Sequence, residues 1–236
     1  MKKCLVVIIS LLLSFFLFLG SFFVPEIVYT AKVNDGASNL PIIIIDAGHG
    51  GFDGGAVGND GIIEKNINLQ ISLFLQEYLS FFNIKTIMIR ESDCSVEDEG
   101  LNTIRQRKTS DLHNRMKIME ETDNAIFVSI HQNKYYEEKY SGAQVFYSPK
   151  HKEESQILAQ SIQDCIVNSL QKDNKRQIKE CGSSVYLMNN AAKPAVLVEC
   201  GFLSNFEESR LLNTSEYQKK IAFCIAMGIQ NYITFR

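Results

Sequence analysis

The sequence predicts an α/β fold: a single domain with a twisted, mostly parallel sheet, helices on both faces, and an N-terminal apolar leader. Three observations carry this. Short, continuously apolar β-branched runs such as Pro41-Ile-Ile-Ile-Ile-Asp46 suit strands buried on both faces. Longer segments with apolar residues at helical spacing alternate with those runs. Polar residues collect just beyond the carboxyl ends of the runs, where open α/β sheets place their sites.

The elements follow in order. Pro41–Asp46 is the first strand, and positions 47–61, with seven glycines, form a loop. Ile67, Ile71, Phe74, Leu75 and Tyr78 give helical periodicity over 65–82, and 84–89 returns to strand, completing a βαβ unit. Positions 90–108 are polar and read as a surface loop entering a helix near 109–121. Ala125–Ile130 is the next buried strand, followed by a polar insert at 134–140 and a strand at 143–147. A helix is expected over 153–170, short strands at 185–188 and 195–199, and a closing amphipathic helix over 217–232. There are no internal repeats and no second domain.

Composition narrows the functional class. The 45% hydrophobic and 22% charged content of this 236-residue chain is near the globular average. The formal net charge is -3, and setting aside Lys2 and Lys3 leaves a more acidic body. That balance lacks the basic stripe a nucleic-acid binder needs. Lys2 and Lys3 precede Leu5–Val24, an uncharged apolar run of bilayer-spanning length. Residues 1–28 therefore read as a membrane anchor or a signal peptide, with 29–40 as a linker and 41–236 as the catalytic domain. The body should lie wholly on the outer side of the membrane, contacting it through the N-terminal segment only. Of six cysteines, Cys4 sits in the leader, and Cys94, Cys165, Cys181, Cys200 and Cys224 contain no C-x-x-C pair. Buried thiols account for them better than a disulfide framework.

The strand ends hold the chemistry. The first strand runs into Asp46-Ala-Gly-His49-Gly-Gly, the 125–130 strand into His131-Gln-Asn133, and the 195–198 strand into Glu199-Cys-Gly-Phe-Leu-Ser-Asn205. Glu64 stands at the start of the first helix. Two imidazoles and two carboxylates thus meet on one rim. Two His and one Glu are the ligand set of a catalytic zinc with a fourth position for water, and the other carboxylate can act as base. Taken singly, each has a plainer reading: Glu64 suits a helix first turn, and a His after a strand is often a hydrogen-bonding loop residue. His113 and His151 read as solvated. Gly48-His-Gly50-Gly-Phe-Asp53 fails as a dinucleotide fingerprint, since Asp53 occupies the third glycine's place. No Walker motif, G-x-S-x-G elbow or H-E-x-x-H is present.

Four blocks in order make the pattern specific: Asp46-Ala-Gly-His49-Gly-Gly, Glu64-Lys-Asn-Ile-Asn68-Leu, Ser129-Ile-His131-Gln-Asn133 and Val198-Glu199-Cys-Gly-Phe-Leu-Ser-Asn205. Together they resemble the zinc-dependent N-acetylmuramoyl-L-alanine amidases of the third amidase family, from about Pro41 to the C-terminus. Arg90-Glu-Ser-Asp93 and Asp111-Leu-His-Asn-Arg115 match further family segments. The leader, the short body and Ser141-Gly-Ala-Gln-Val-Phe-Tyr147 are similar to the spore-cortex, germination-specific branch. Two positions depart from the pattern: Ala47 replaces the common Pro, and Cys200 stands where a small or apolar residue is usual.

The resemblance implies one Zn2+ on His49, Glu64 and His131, with Glu199 catalytic and peptidoglycan as substrate. It further implies that Asn133 orients substrate or the His131 loop. Arg115 contacts either a substrate carboxylate or, in the alternative, a structural ion-pair partner. The lack of an accessory wall-binding domain suggests an exported protein partner. Two competing readings stand beside this one. One is a metal-poor, partner-dependent peptidoglycan-binding module. The other is a thiol hydrolase built on Cys200 with His49 or His131, which leaves Glu64 and Glu199 without roles.

Overall fold

The computed structural model describes residues 40–58 and 61–235. The proposed leader, most of the linker and Cys4 lie outside the described residues. Six strands form one sheet: β1 (Ile42–Ala47), β2 (Thr86–Met88), β3 (Ala125–Asn133), β4 (Gln144–Tyr147), β5 (Lys179–Glu180) and β6 (Ala195–Phe202). Their spatial order is β2-β1-β3-β6-β4-β5. All neighbouring pairs are parallel except β4 with β6. Among the described residues six helices accompany the strands: α1 (Glu64–Phe81), α2 (Ile104–Glu121), α3 (Lys152–Ser169), α4 (Tyr186–Asn189), α5 (Phe206–Leu212) and α6 (Ser215–Thr234).

Strand alternation divides the core in two. On one face Ile43, Ile45, Val128, Ile130, Val196 and Val198 pack against α1, α3 and α6. On the other Ile44, Phe127 and Leu197 meet Met116 and Met119 of α2 and Leu187 and Met188 of α4. Among the described residues, one face thus lies under three long helices and the other under α2 and the single turn α4. Gly228 of α6 sits where a Cβ would come within 2.5 Å of the Ile162 Cα, so a side chain there would push α3 and α6 apart.

Several expectations change. The segment 185–188 is not a strand but the one-turn helix α4. A four-residue apolar run cannot distinguish the two by pattern. Here Val185 N–H bonds the Gly182 carbonyl, and the Asn189 side chain donates to the carbonyls of Gly182 (2.6 Å) and Val185 (3.1 Å), closing a turn. The fifth strand is instead Lys179–Glu180, paired with β4. Helix α2 starts at Ile104 rather than near 109. Thr103 and Gln106 form a capping box that satisfies its first N–H groups. Helix α5, capped by Asn205, adds an element between the 195–199 strand and the closing helix. No described helix is long and apolar enough to cross a membrane.

The capping box predicts that Thr103→Ala lowers unfolding free energy by about 1 kcal/mol. Equilibrium denaturation should show a lower midpoint with an unchanged slope.

Candidate active site

The rim begins with strand register. Parallel pairing sets Ala47 beside Ile130 and His131 beside Glu199, so the end of β1 falls one residue short of the His131–Glu199 pair, while β3 and β6 run on past it. Beyond β1 the chain turns sharply. His49 has φ 63°, a left-handed conformation uncommon outside glycine, and Gly50 and Gly51 follow with positive φ. Gly48 leaves space for His131, whose Nε2 would lie 2.2 Å from a Cβ there. Gly55, at φ +69°, likewise leaves space for the Glu64 carboxylate and the His49 ring.

Two buried arginines hold this turn. Arg90 Nε donates to the Ala47 carbonyl at 2.8 Å, and its Nη2 to the carbonyls of Gly48 and Lys65. Arg115 is 2% exposed. It pairs with Asp46 and Asp111, and Nη2 donates to the His49 carbonyl at 2.8 Å. Ser129 Oγ donates to the second Asp46 oxygen at 2.6 Å. Burial alone would raise the Asp46 pKa, but Arg115 and Ser129 outweigh it and hold the carboxylate below its ordinary value. The guanidinium of Arg115 thus pairs with Asp46 and Asp111 and donates to the carbonyls of Ala47 and His49. Arg90, assigned by pattern to a surface loop, is buried at the same turn.

Glu64 opens α1 and joins the two histidines. His49 Nε2 lies 3.3 Å from Oε2, and His131 Nδ1 lies 3.0 Å from Oε1. Backbone N–H groups of Ala56 and Gln132 and the Asn68 side chain also donate to the carboxylate, at 2.7, 3.0 and 3.2 Å. His49 Nδ1 meets Asp53 Oδ2 at 3.0 Å, which orients the ring. The two imidazoles stand edge to face, centroids 4.9 Å apart. Each of His49, Glu64 and His131 offers a ligand atom within 4.8 Å of the others, on two nitrogens and one oxygen.

The electrostatics fit a cation at this cluster. Burial would lower the His49 pKa, but hydrogen bonds and charge from Glu64 and then Asp53 lift it to about 9. Burial would raise Glu64, yet His131 and His49 hold it far below the carboxylate range. Glu199 has the opposite balance. Burial raises it to about 7, with the Glu64 charge adding to the rise and His131 and His49 opposing it. Its Oε2 is buried without a hydrogen-bond partner, as expected of a carboxylate whose partner is a small polar molecule or cation in the cleft. Beside it a recess of about 320 Å³ lies between Leu112, Leu187, Leu197 and Ser129.

Cys200 points the other way, into the α1/α3/α6 core, and is 0% exposed. Burial pushes its thiol up, away from the thiolate a nucleophile requires. Asn133 ends β3 two residues past His131 and lines a separate recess with Tyr135, Tyr140, Arg176 and Phe202.

Comparison with known proteins agrees with this geometry. A family model described as N-acetylmuramoyl-L-alanine amidase matches residues 43–231. The chain belongs to that family. It is 39% identical over 193 residues to the germination-specific N-acetylmuramoyl-L-alanine amidase of Bacillus subtilis, covering 82% of this chain and 80% of that protein. Among solved structures, the CwlD amidase of Clostridioides difficile in complex with the GerS lipoprotein superposes with TM-score 0.80 at 41% identity. That match covers 83% of this chain and all (100%) of the other. The amidase AmiC2 of Nostoc punctiforme matches with TM-score 0.70 at 28% identity, over 82% of this chain and 97% of its own. The single sheet flanked by helices is thus the amidase fold, and the action expected of it is extracytoplasmic.

Two predictions follow from the site. Arg115→Ala leaves the buried Asp46 charge unpaired, so unfolding free energy should fall by about 3–5 kcal/mol in chemical denaturation. Protons compete with a metal at His49 below about pH 9. Zinc affinity, measured by competition with a chelating dye, should therefore tighten about tenfold per pH unit from roughly 6.5 upward and level off near that value.

Proposed function

We propose that this protein hydrolyses the amide joining the lactyl group of N-acetylmuramic acid to L-alanine in peptidoglycan, using one zinc ion on His49, Glu64 and His131 with Glu199 as base. The observation carrying the reading is the cluster of two imidazoles on opposite oxygens of one buried carboxylate, with Glu199 in register beside His131. Two nitrogens and one oxygen leave a fourth position open, as in catalytic rather than structural zinc sites. When bound, zinc there polarises the scissile carbonyl and acidifies water.

The chain's own groups supply the rest. Asp53 holds the His49 ring, and the arginine-held turn sets the position of its backbone. Glu199, raised to about 7 and without an internal partner, takes a proton from the attacking water and delivers it to the departing alanine nitrogen. The water oxygen bonds the carbonyl carbon, the C–N bond breaks, and a carboxylate and a free amine result. A metal charge beside Glu199 lowers its pKa, so the acid limb of activity should lie below 7.

Similarity to a protein named germination-specific supports a role in the spore cortex. The solved relative complexed with a lipoprotein supports an exported lipoprotein partner for this chain as well. Lys2, Lys3 and the apolar run Leu5–Val24 support attachment of the chain to the membrane or export across it.

The test is mass spectrometry of peptidoglycan incubated with zinc-loaded protein, with and without the cognate lipoprotein. Stem peptides with a new N-terminal alanine are expected. Glu199→Gln should keep its zinc and release them about 10²–10⁴-fold more slowly. Release undiminished in that variant, or unaffected by stripping the metal, would refute the reading.

A further inference from the structure

Beyond the cluster, β3 and β6 continue. A bulge in β6 brings Phe202 opposite Asn133, two β3 residues past the His131–Glu199 pair. Residues two apart on a strand share a face, so Asn133 follows His131 along the same rim, roughly 7 Å on. There a recess of about 290 Å³ opens between Asn133, Tyr135, Tyr140, Arg176 and Phe202. The Asn133 side chain makes no hydrogen bond among the described residues, and its amide offers both a donor and an acceptor.

The recess is walled by aromatic rings from the polar insert after β3. Tyr135 and Tyr136 rings lie 4.2 Å apart, and Tyr140 meets Tyr135 edge-on at 5.0 Å. Tyr135 is 43% and Tyr136 81% exposed, an unusual concentration of open aromatic surface. The Arg176 guanidinium stacks 4.4 Å from the Phe202 ring centroid.

This insert is firmly held. Tyr135 N–H bonds Ser204 Oγ, and Asn205 donates to the Glu138 carbonyl. Gly142 N–H bonds the buried Glu208 carboxylate, which also accepts from Phe202 N–H at 2.7 Å. Arg176 Nε donates to the Ser141 carbonyl at 2.8 Å. Exposed rings on a pre-ordered loop lose little freedom when a ligand stacks on them.

We propose that this recess is a sugar subsite that binds N-acetylated amino sugars of the glycan strand, the rings stacking on Tyr135 and Tyr140 and the acetamido group pairing with the Asn133 amide. Sugar rings present an apolar C–H face that suits aromatic rings, and an acetamido group carries the complement of a side-chain amide. Arg176, stacked on Phe202, adds a cation to the same wall. The inference rests on the amidase reading for its substrate class, and Asn133, two residues past His131 on β3, places the recess next along the strand from the cluster.

The experiment measures binding of peptide-free N-acetylglucosamine–N-acetylmuramic acid oligosaccharides to the full chain by calorimetry, with stem-peptide release assayed on the same preparations. The wild-type chain should bind them. Tyr135→Ala/Tyr140→Ala should bind about tenfold more weakly, and Tyr135→Phe/Tyr140→Phe, which keeps the rings, should bind as wild type. Failure of the wild type to bind, or equal binding by the alanine pair, overturns the proposal. So does an alanine pair that binds glycan normally but loses a protein complex, since the surface then serves a protein. If wild type binds oligosaccharide yet releases no stem peptide even with the cognate lipoprotein present, the hydrolytic reading fails while the subsite stands.

Discussion

The parallel pairing of β1, β3 and β6 is the constraint from which the rest of the structure follows. It aligns Asp46 with Ser129 and His131 with Glu199, so residues more than 150 positions apart in the chain reach one rim. Register of this kind is set by burial on both faces. A one-residue slip would carry Ile44, Phe127 and Leu197 into the opposite core and turn His131 and Glu199 away from the cleft. The site thus inherits its precision from the packing of the sheet.

A second layer of constraint lies in the turn after β1. Its backbone carbonyls from Ala47 to His49 all accept hydrogen bonds from Arg90 or Arg115. Burying two guanidinium groups is unfavourable unless their donors are satisfied, and here carbonyls and the Asp46 and Asp111 carboxylates satisfy them. The result holds His49 in a left-handed conformation beside Glu64 without any regular secondary structure to support it. Rigidity comes from charge and hydrogen bonding at the turn and from apolar packing in the strands below.

Much of the fold was legible. Continuous apolar runs announced β1, β3 and β6, and helical periodicity announced α1, α3 and α6, because both patterns reflect local burial. The elements that were missed depend on weaker local signals. The capping pair Thr103 and Gln106 lies in a polar stretch with no apolar period, so its pattern resembles a loop. The run 185–188 is too short for its period to be read, and α5 is set by the Asn205 cap and by Glu208 turning inward to accept from the N–H groups of Gly142 and Phe202. Arg90 looked solvated because a charged residue after a strand usually is. The carbonyls converging on it from Ala47, Gly48, Lys65 and Ser92 make its burial favourable.

The proposed ligands and base were nameable from residue type, since imidazoles and carboxylates at strand ends are few in this chain. Sequence by itself determined which groups are available, in what order, and that they stand near the ends of buried strands. Tertiary structure decided what each one does. Glu64 and Glu199 are both carboxylates beside histidines. Glu64 is held anionic by two imidazoles and several N–H donors, whereas Glu199 is desolvated, unpartnered and pushed up to about 7. Likewise Arg115 proved to be a buried clamp, and the tyrosines of the insert an exposed wall at the rim. Ionisation state and accessibility depend on neighbours distant in the chain, and those neighbours are assembled only when the sheet closes.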